Sequence, residues 1–200
     1  MWSWLVNLVR RLSSPAPLPP PAPAGVTIEL PTIGKLLLAA GGIAEAAAFA
    51  APWQYRELCE SLAPGGMIDA ALLQALATHE SGNDPTIVSG ANQNGTRDYG
   101  LFQINSDNFT RYGLTFANYT DPQVNGQAAV AELQRHEPDA TSLGDLVSMY
   151  NAGERSGGGA RKNSDGTYVN QAYVRAVLGW YLLFRVAEFA PVKKSGVASA

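Results

Sequence analysis

The stretch from Thr78 to Ser106, THESGNDPTIVSGANQNGTRDYGLFQINS, limits the fold more than any other part of the chain. The run before it, Met67 to His79, spaces Ile68, Leu72, Leu76 and Glu80 four apart, which sets them on one face of a helix. Gly82, Asn83 and Pro85 follow at once and end that helix. Turn-formers then crowd the chain as far as Asp98, with Asp84, Ser89, Gly90, Asn92, Asn94 and Gly95 among them. No long helix or strand fits there. The pattern leaves room for two short extended pieces, Thr86–Val88 and Arg97–Ile104, and Asn94-Gly95 is a two-residue hairpin signal.

Glu80 falls in the last turn of the predicted helix, at the negative end of its dipole. A carboxylate there is disfavoured by roughly 0.3–1 kcal/mol. An apolar neighbourhood adds to the penalty and raises the pKa further. A Glu kept protonated near neutral pH is a general acid. Taken alone, the local pattern favours an ordinary surface Glu before a turn. Asp98 stands eighteen positions later. A helix end followed by a hairpin can set two carboxylates on opposite sides of one cleft, as cleavage of a glycosidic bond requires.

Three motifs occur in order: Glu80-Ser81-Gly82, then Gly100-Leu101-Phe102-Gln103-Ile104-Asn105, then Tyr150-Asn151-Ala152-Gly153. Together they resemble the lytic transglycosylases of the lysozyme superfamily, over roughly Trp53 to Tyr181. Tyr173 in AYVRAV matches the family's downstream Tyr, and Asn125 matches its Asn in the helix that opens DP. Phe102 stands where the family has Met, and Met149 where it has a small residue. Asn94–Ser106 also resembles the hairpin of c-type lysozymes, in which the Asp is the second carboxylate. The nearest likeness is to the small transglycosylases of type IV secretion, conjugation and phage entry.

The resemblance implies an α+β, predominantly α, lysozyme-like domain with a small hairpin flanking the cleft. It implies cleavage of the β-1,4 bond between N-acetylmuramic acid and N-acetylglucosamine in peptidoglycan. Glu80 is then the catalytic acid and afterwards the base, and the product is a 1,6-anhydro sugar. Asp98 either stabilises charge at the cleft or buttresses the hairpin. Gln103 and Asn105 are expected to donate amide hydrogens to acetamido groups or to the backbone, with sugar binding preferred for Gln103. Tyr150 and Asn151 are expected to close the cleft over Glu80 or to pack as a helix terminus. Tyr173 is expected to bond the acid or the sugar, and Ser81 to touch the substrate or cap the helix end. Hydrolysis by Glu80 with Asp98, and a non-catalytic wall-binding or virion protein, are the alternative readings.

With 200 residues, the chain has room for one domain and appendages. A net charge of −3 gives no field for nucleic acid, so no nucleic-acid partner is expected. A single cysteine, Cys59, rules out the intrachain disulfides that staple c-type lysozymes, and packing must hold the fold. The two histidines, His79 and His136, lie far apart in sequence, and neither a metal site nor a cofactor is expected.

Ahead of the domain, residues 1–12 form a short apolar segment that either lies on an interface or frays. Residues 13–31 are a Pro-rich spacer of polyproline-II type. Residues 32–51 are an Ala-rich helix whose Glu45 would cost a few kcal/mol in a bilayer. Packing in an assembly, a virion or a secretion machine, is preferred for residues 1–52, with membrane contact as the alternative. The expected setting is the periplasm and cell envelope, or a phage virion. The transglycosylase domain is read as 52–190 and residues 191–200 as a tail. Within the domain, helices are expected at Trp53–Leu62, Ser106–Tyr112, Asp121 to His136, Ser142–Tyr150 and Tyr168–Phe189. The Gly-rich stretch Gly153–Thr167 is expected to be a long loop, either a substrate lid carrying Arg155, Arg161 and Lys162 or a solvated insertion.

Overall fold

Asp69 opens the central helix by accepting the Leu72 backbone N–H at 2.8 Å, and Gly82, left-handed at φ 62°, closes it. The computed structural model describes residues 53–188, and the readings for residues 1–12, 13–31, 32–51 and 191–200 lie outside them. In chain order the helices are α1 (Arg56–Leu62), α2 (Ala70–Ser81), α3 (Phe109–Tyr112), α4 (Pro122–His136), α5 (Leu143–Ala152) and α6 (Gln171–Glu188). Two short strands, β1 (Asp98–Tyr99) and β2 (Ile104–Asn105), pair antiparallel between α2 and α3. Short 3-10 turns precede α3 and follow α4. This is the α+β, mostly helical, lysozyme-like arrangement.

The periodicity of α2 predicts one buried face, but Ala71 through Ala77 are all fully buried, so the helix runs through the core. Both α1 and α6 pack against it. Gln74 is the polar member of that run. Its oxygen accepts the Tyr55 N–H at 2.8 Å, and its nitrogen donates to Asn83 at 2.8 Å, which ties the start of α1 to the end of α2. Cys59 is fully buried, and burial pushes its thiol up to about 12, so it behaves as a small apolar side chain. Asp121 caps α4 through Gln123 N–H with Pro122 in the first turn, as the sequence signals.

The hairpin differs from the expected pairing. Arg97–Ile104 is not one extended piece. It breaks at Gly100–Gln103, so that β1 pairs with β2 (Asp98 with Asn105, Tyr99 with Ile104). Val88 makes a single bridge to Tyr99 from the other side, and Asn94-Gly95 sits in the loop joining them, where Asn92 N–H bonds Thr96 O at 2.7 Å. The break has a packing cause: Leu101 and Phe102 are fully buried and pull the chain inward. Gly100 takes φ +81° there, and a Cβ on it would meet the Asn125 amide at 2.5 Å and the Tyr119 carbonyl at 2.6 Å.

Residues 153–167 are not structureless. Two tight turns are closed by the bridges Glu154–Ala160 and Lys162–Tyr168. Lys162 pairs with Asp145 at 2.8 Å and Arg161 donates to the Ala152 carbonyl at 3.3 Å, so these cations bind the protein itself rather than a cleft. Helix α4 buries Ala128 and Leu133 as expected, but Val124 and Ala131 are only half-buried. Asn125, Glu132 and His136 are buried instead. Helix α6 starts at Gln171, three residues after the expected Tyr168, and Leu182 on it is 44% exposed.

Candidate active site

Glu80 sits one residue before the end of α2, half-buried. Its Oε1 accepts a 2.5 Å hydrogen bond from the Tyr173 hydroxyl on α6. Burial raises the carboxyl from an ordinary 4.5 to about 7; the Tyr173 bond pulls it down, and the nearby Asp98 charge pushes it up. The position in the chain explains this. The C-terminal turn of a core helix brings a carboxyl to the protein surface with little water around it. Tyr173 is itself fixed from behind by an edge contact with His79, ring centroids 4.9 Å apart. Burial lowers the pKa of His79.

The hydrogen bond from Tyr173 favours the ionised form of Glu80, so removing it should raise the Glu80 pKa above about 7. In Tyr173→Phe the falling limb of kcat/KM against pH is therefore expected to move to higher pH. A limb that stays put, or moves to lower pH, would contradict this.

Glu80 and Asp98 line one cleft of about 670 Å³. Gln103, Asn105, Tyr150 and Asn151 line it too. The remaining pair lies behind it. Tyr173 reaches the site through Glu80, and the Ser81 hydroxyl lies 2.8 Å from the Leu101 carbonyl and 3.0 Å from that of Ala77. Ser81 thus ties the end of α2 to the turn between the strands.

The cleft side chains differ in what they leave for a ligand. Asp98 accepts from Asn105 at 2.7 Å, from Ser89 at 3.3 Å and from Asn92 at 3.4 Å, so the hairpin loop fixes its carboxylate on several sides. Asn105 donates to both Asp98 and Thr96 (2.9 Å), and its oxygen caps Asp107 at 3.0 Å. Its amide hydrogens are spent inside the protein rather than on a sugar. Gln103, a non-glycine at φ +50°, gives its amide nitrogen to the carbonyls of Gly100 (2.8 Å) and Ile87 (3.1 Å), which leaves its amide oxygen for a ligand. The Tyr150 hydroxyl donates to the Phe102 carbonyl at 2.8 Å. Burial lifts the Tyr150 pKa well above the usual value, with the Glu80, Glu132 and Asp98 charges adding to the shift. Asn151 accepts from Asn170 at 2.9 Å on the exposed rim.

The sequence reading missed Glu132 and Arg135, which form the wall contributed by α4. Glu132 accepts from Arg135 at 2.6 Å and lies 3.0 Å from His136. Burial raises the Glu132 pKa, but hydrogen bonds from His136, Tyr112 and Arg135 outweigh it and hold the group down at about 2. His136 is fully buried, and its other ring nitrogen meets Glu154 at 2.5 Å. The signal was present as spacing: Glu132 with Arg135 at i, i+3 and with His136 at i, i+4.

A carboxyl raised to about 7 by burial, in a cleft also lined by an Asp held on a hairpin, is the arrangement of glycan-cleaving lysozyme-like domains. The sequence pattern of the family described as "Transglycosylase SLT domain" matches residues 58–171, more than half of the chain, and the chain belongs to this family. Its members are lytic transglycosylases acting on peptidoglycan, and peptidoglycan is the substrate. No curated protein and no solved structure matches the chain.

Proposed function

We propose that Glu80 alone carries the chemistry of glycan cleavage. Its carboxyl proton goes to the bridging oxygen as the bond from muramyl C1 to that oxygen breaks. The carboxylate then takes the proton of the muramyl 6-hydroxyl, whose oxygen closes on C1 to give the 1,6-anhydro end. No water is consumed, and Glu80 ends protonated again. The observation that carries this reading is the Glu80 carboxyl, half-buried in the cleft wall and held near pH 7 by burial.

The hydrogen bonds around Asp98 favour a supporting role for it. Its carboxylate contacts three side chains of its own hairpin, which braces that wall and leaves little capacity for attack on a sugar carbon. Its presence in the same cleft as Glu80 favours the second reading, a hydrolase in which Asp98 stabilises or traps the cation. Digestion of purified sacculi, read by mass spectrometry, separates the two. Anhydromuramyl ends are expected, and reducing ends would overturn the proposal. Asp98→Asn is expected to keep the anhydro products and lose no more than about tenfold in rate; a loss on the order of 10³ would show direct participation.

We further propose that the enzyme opens the wall locally for an envelope-crossing machine or for phage entry. It would then work in the periplasm and cell envelope or on a virion, assembled through residues 1–52. The short apolar, Pro-rich and Ala-rich segments of that region support this setting.

A further inference from the structure

Arg135 is the one cation among the described residues that line the cleft, and 40% of its side chain is exposed. A guanidinium has five N–H donors in a rigid fork. Here Nε reaches the Tyr112 hydroxyl at 3.3 Å. Nη2 meets Glu132 at 2.6 Å and lies 2.8 Å from His136 Nε2. Nη1 has only the long 3.5 Å contact to Glu154. The fork is therefore locked on two of its corners, and donor capacity is left on the third.

Charge decides what that corner can take. Glu132 and Glu154 set two carboxylates against the guanidinium, with the buried His136 ring between them at 3.0 and 2.5 Å. An incoming carboxylate would meet Glu132 and Asp98 across the same cleft. A neutral oxygen meets no such penalty, and the side-chain amides of Asn108 and Asn151 suit neutral sugar groups too. We propose that Arg135 is a specificity-determining residue whose Nη1 donates to an acetamido carbonyl of the glycan strand. Glu132 and Glu154 mask its charge, so strands are bound with or without their stem peptides. This rests on the cleft being the glycan groove proposed above.

The test uses the full chain carrying Glu80→Gln, which cannot cleave, and isothermal titration calorimetry. The probes are peptidoglycan tetrasaccharides in three forms: peptide-free with the lactyl carboxyls capped as amides, stem-bearing, and the capped peptide-free strand with hydroxyls in place of its acetamido groups (the deacetylated form). Adding Arg135→Gln is expected to weaken both acetylated forms equally, by about tenfold or more. Arg135→Lys keeps the pairing with Glu132 but not the fork, and should weaken them as well. The deacetylated form should bind weakly throughout and not respond to either change. In a separate arm, Glu154→Gln unmasks the charge and should create a preference for the stem-bearing form. A loss confined to stem-bearing probes, an equal loss on deacetylated probes, or no loss would overturn the assignment to the acetamido carbonyl. No gained preference in Glu154→Gln would overturn the masking. If the Glu80→Gln protein binds none of the three, the groove reading itself falls, and this inference with it.

Discussion

Replacing Glu80 by Gln is expected to cut the rate of wall digestion by roughly 10²–10⁴-fold, the usual contribution of a positioned acid. Gln is nearly the same shape and can still meet the Tyr173 hydroxyl, so the fold should persist. The stability consequence has a definite sign. The folded protein holds the Glu80 proton to about pH 7, whereas an unfolded chain releases it near 4.5. Between those values the folded state binds more protons, so Glu80 makes wild-type stability fall as pH rises. The full difference is on the order of 3 kcal/mol. Glu80→Gln has no such group, and should melt at a higher temperature than wild type at pH 8 to 9 but lose that advantage below pH 4.5. Thermal melts across pH check this. An unchanged digestion rate would remove Glu80 from the mechanism, and parallel melting curves would remove the shifted carboxyl.

Asn125→Ala is expected to be the most damaging change to the fold away from the acid. Asn125 is fully buried. Its oxygen accepts the Phe102 N–H at 2.8 Å and its nitrogen donates to the Tyr99 carbonyl at 3.0 Å. One side chain thus satisfies both ends of the turn that joins β1 to β2. Removing it strands two backbone groups in the core, at a cost of roughly 2–5 kcal/mol. That is a large part of the stability of a typical domain, and corresponds to a melting temperature lower by roughly 5–15 °C. Activity should fall as well, because the turn carries Gln103 and sets the place of Asp98. A drop below roughly 1 kcal/mol, measured by denaturant titration, would show that water replaces the amide without loss.

The end of α2 was readable from sequence because its signals are local. Four-residue spacing, then Gly82 and Asn83, suffice to set Glu80 in the last turn. The same holds for the Asp121-Pro122 start of α4 and the Gly113 stop of α3, since each cap bonds within its own turn. Asn125, and the bond of Gln74 to Tyr55, were not readable as braces, because those partners lie 19 to 26 positions away. The break at Gly100 was hidden for a related reason. Arg97–Ile104 has strand-forming residues, but burial of Leu101 and Phe102 in the core overrides local preference. Glu132, Arg135 and His136 have the spacing of a solvated ion-pair face, whereas His136 is buried against Glu154 and only Glu132 and Arg135 reach the cleft wall. Gly153–Thr167 reads from composition as a lid or a solvated insertion, yet each of its cations that finds a partner pairs locally.

The central claim is that the Glu80 carboxyl keeps its proton to near neutrality because the folded chain desolvates it. Carbon-13 NMR of side-chain carboxyls, with Glu80→Gln used to assign the resonance, measures this directly. A titration midpoint near 7 is predicted; a midpoint near 4.5, the value of a solvated Glu, would contradict it.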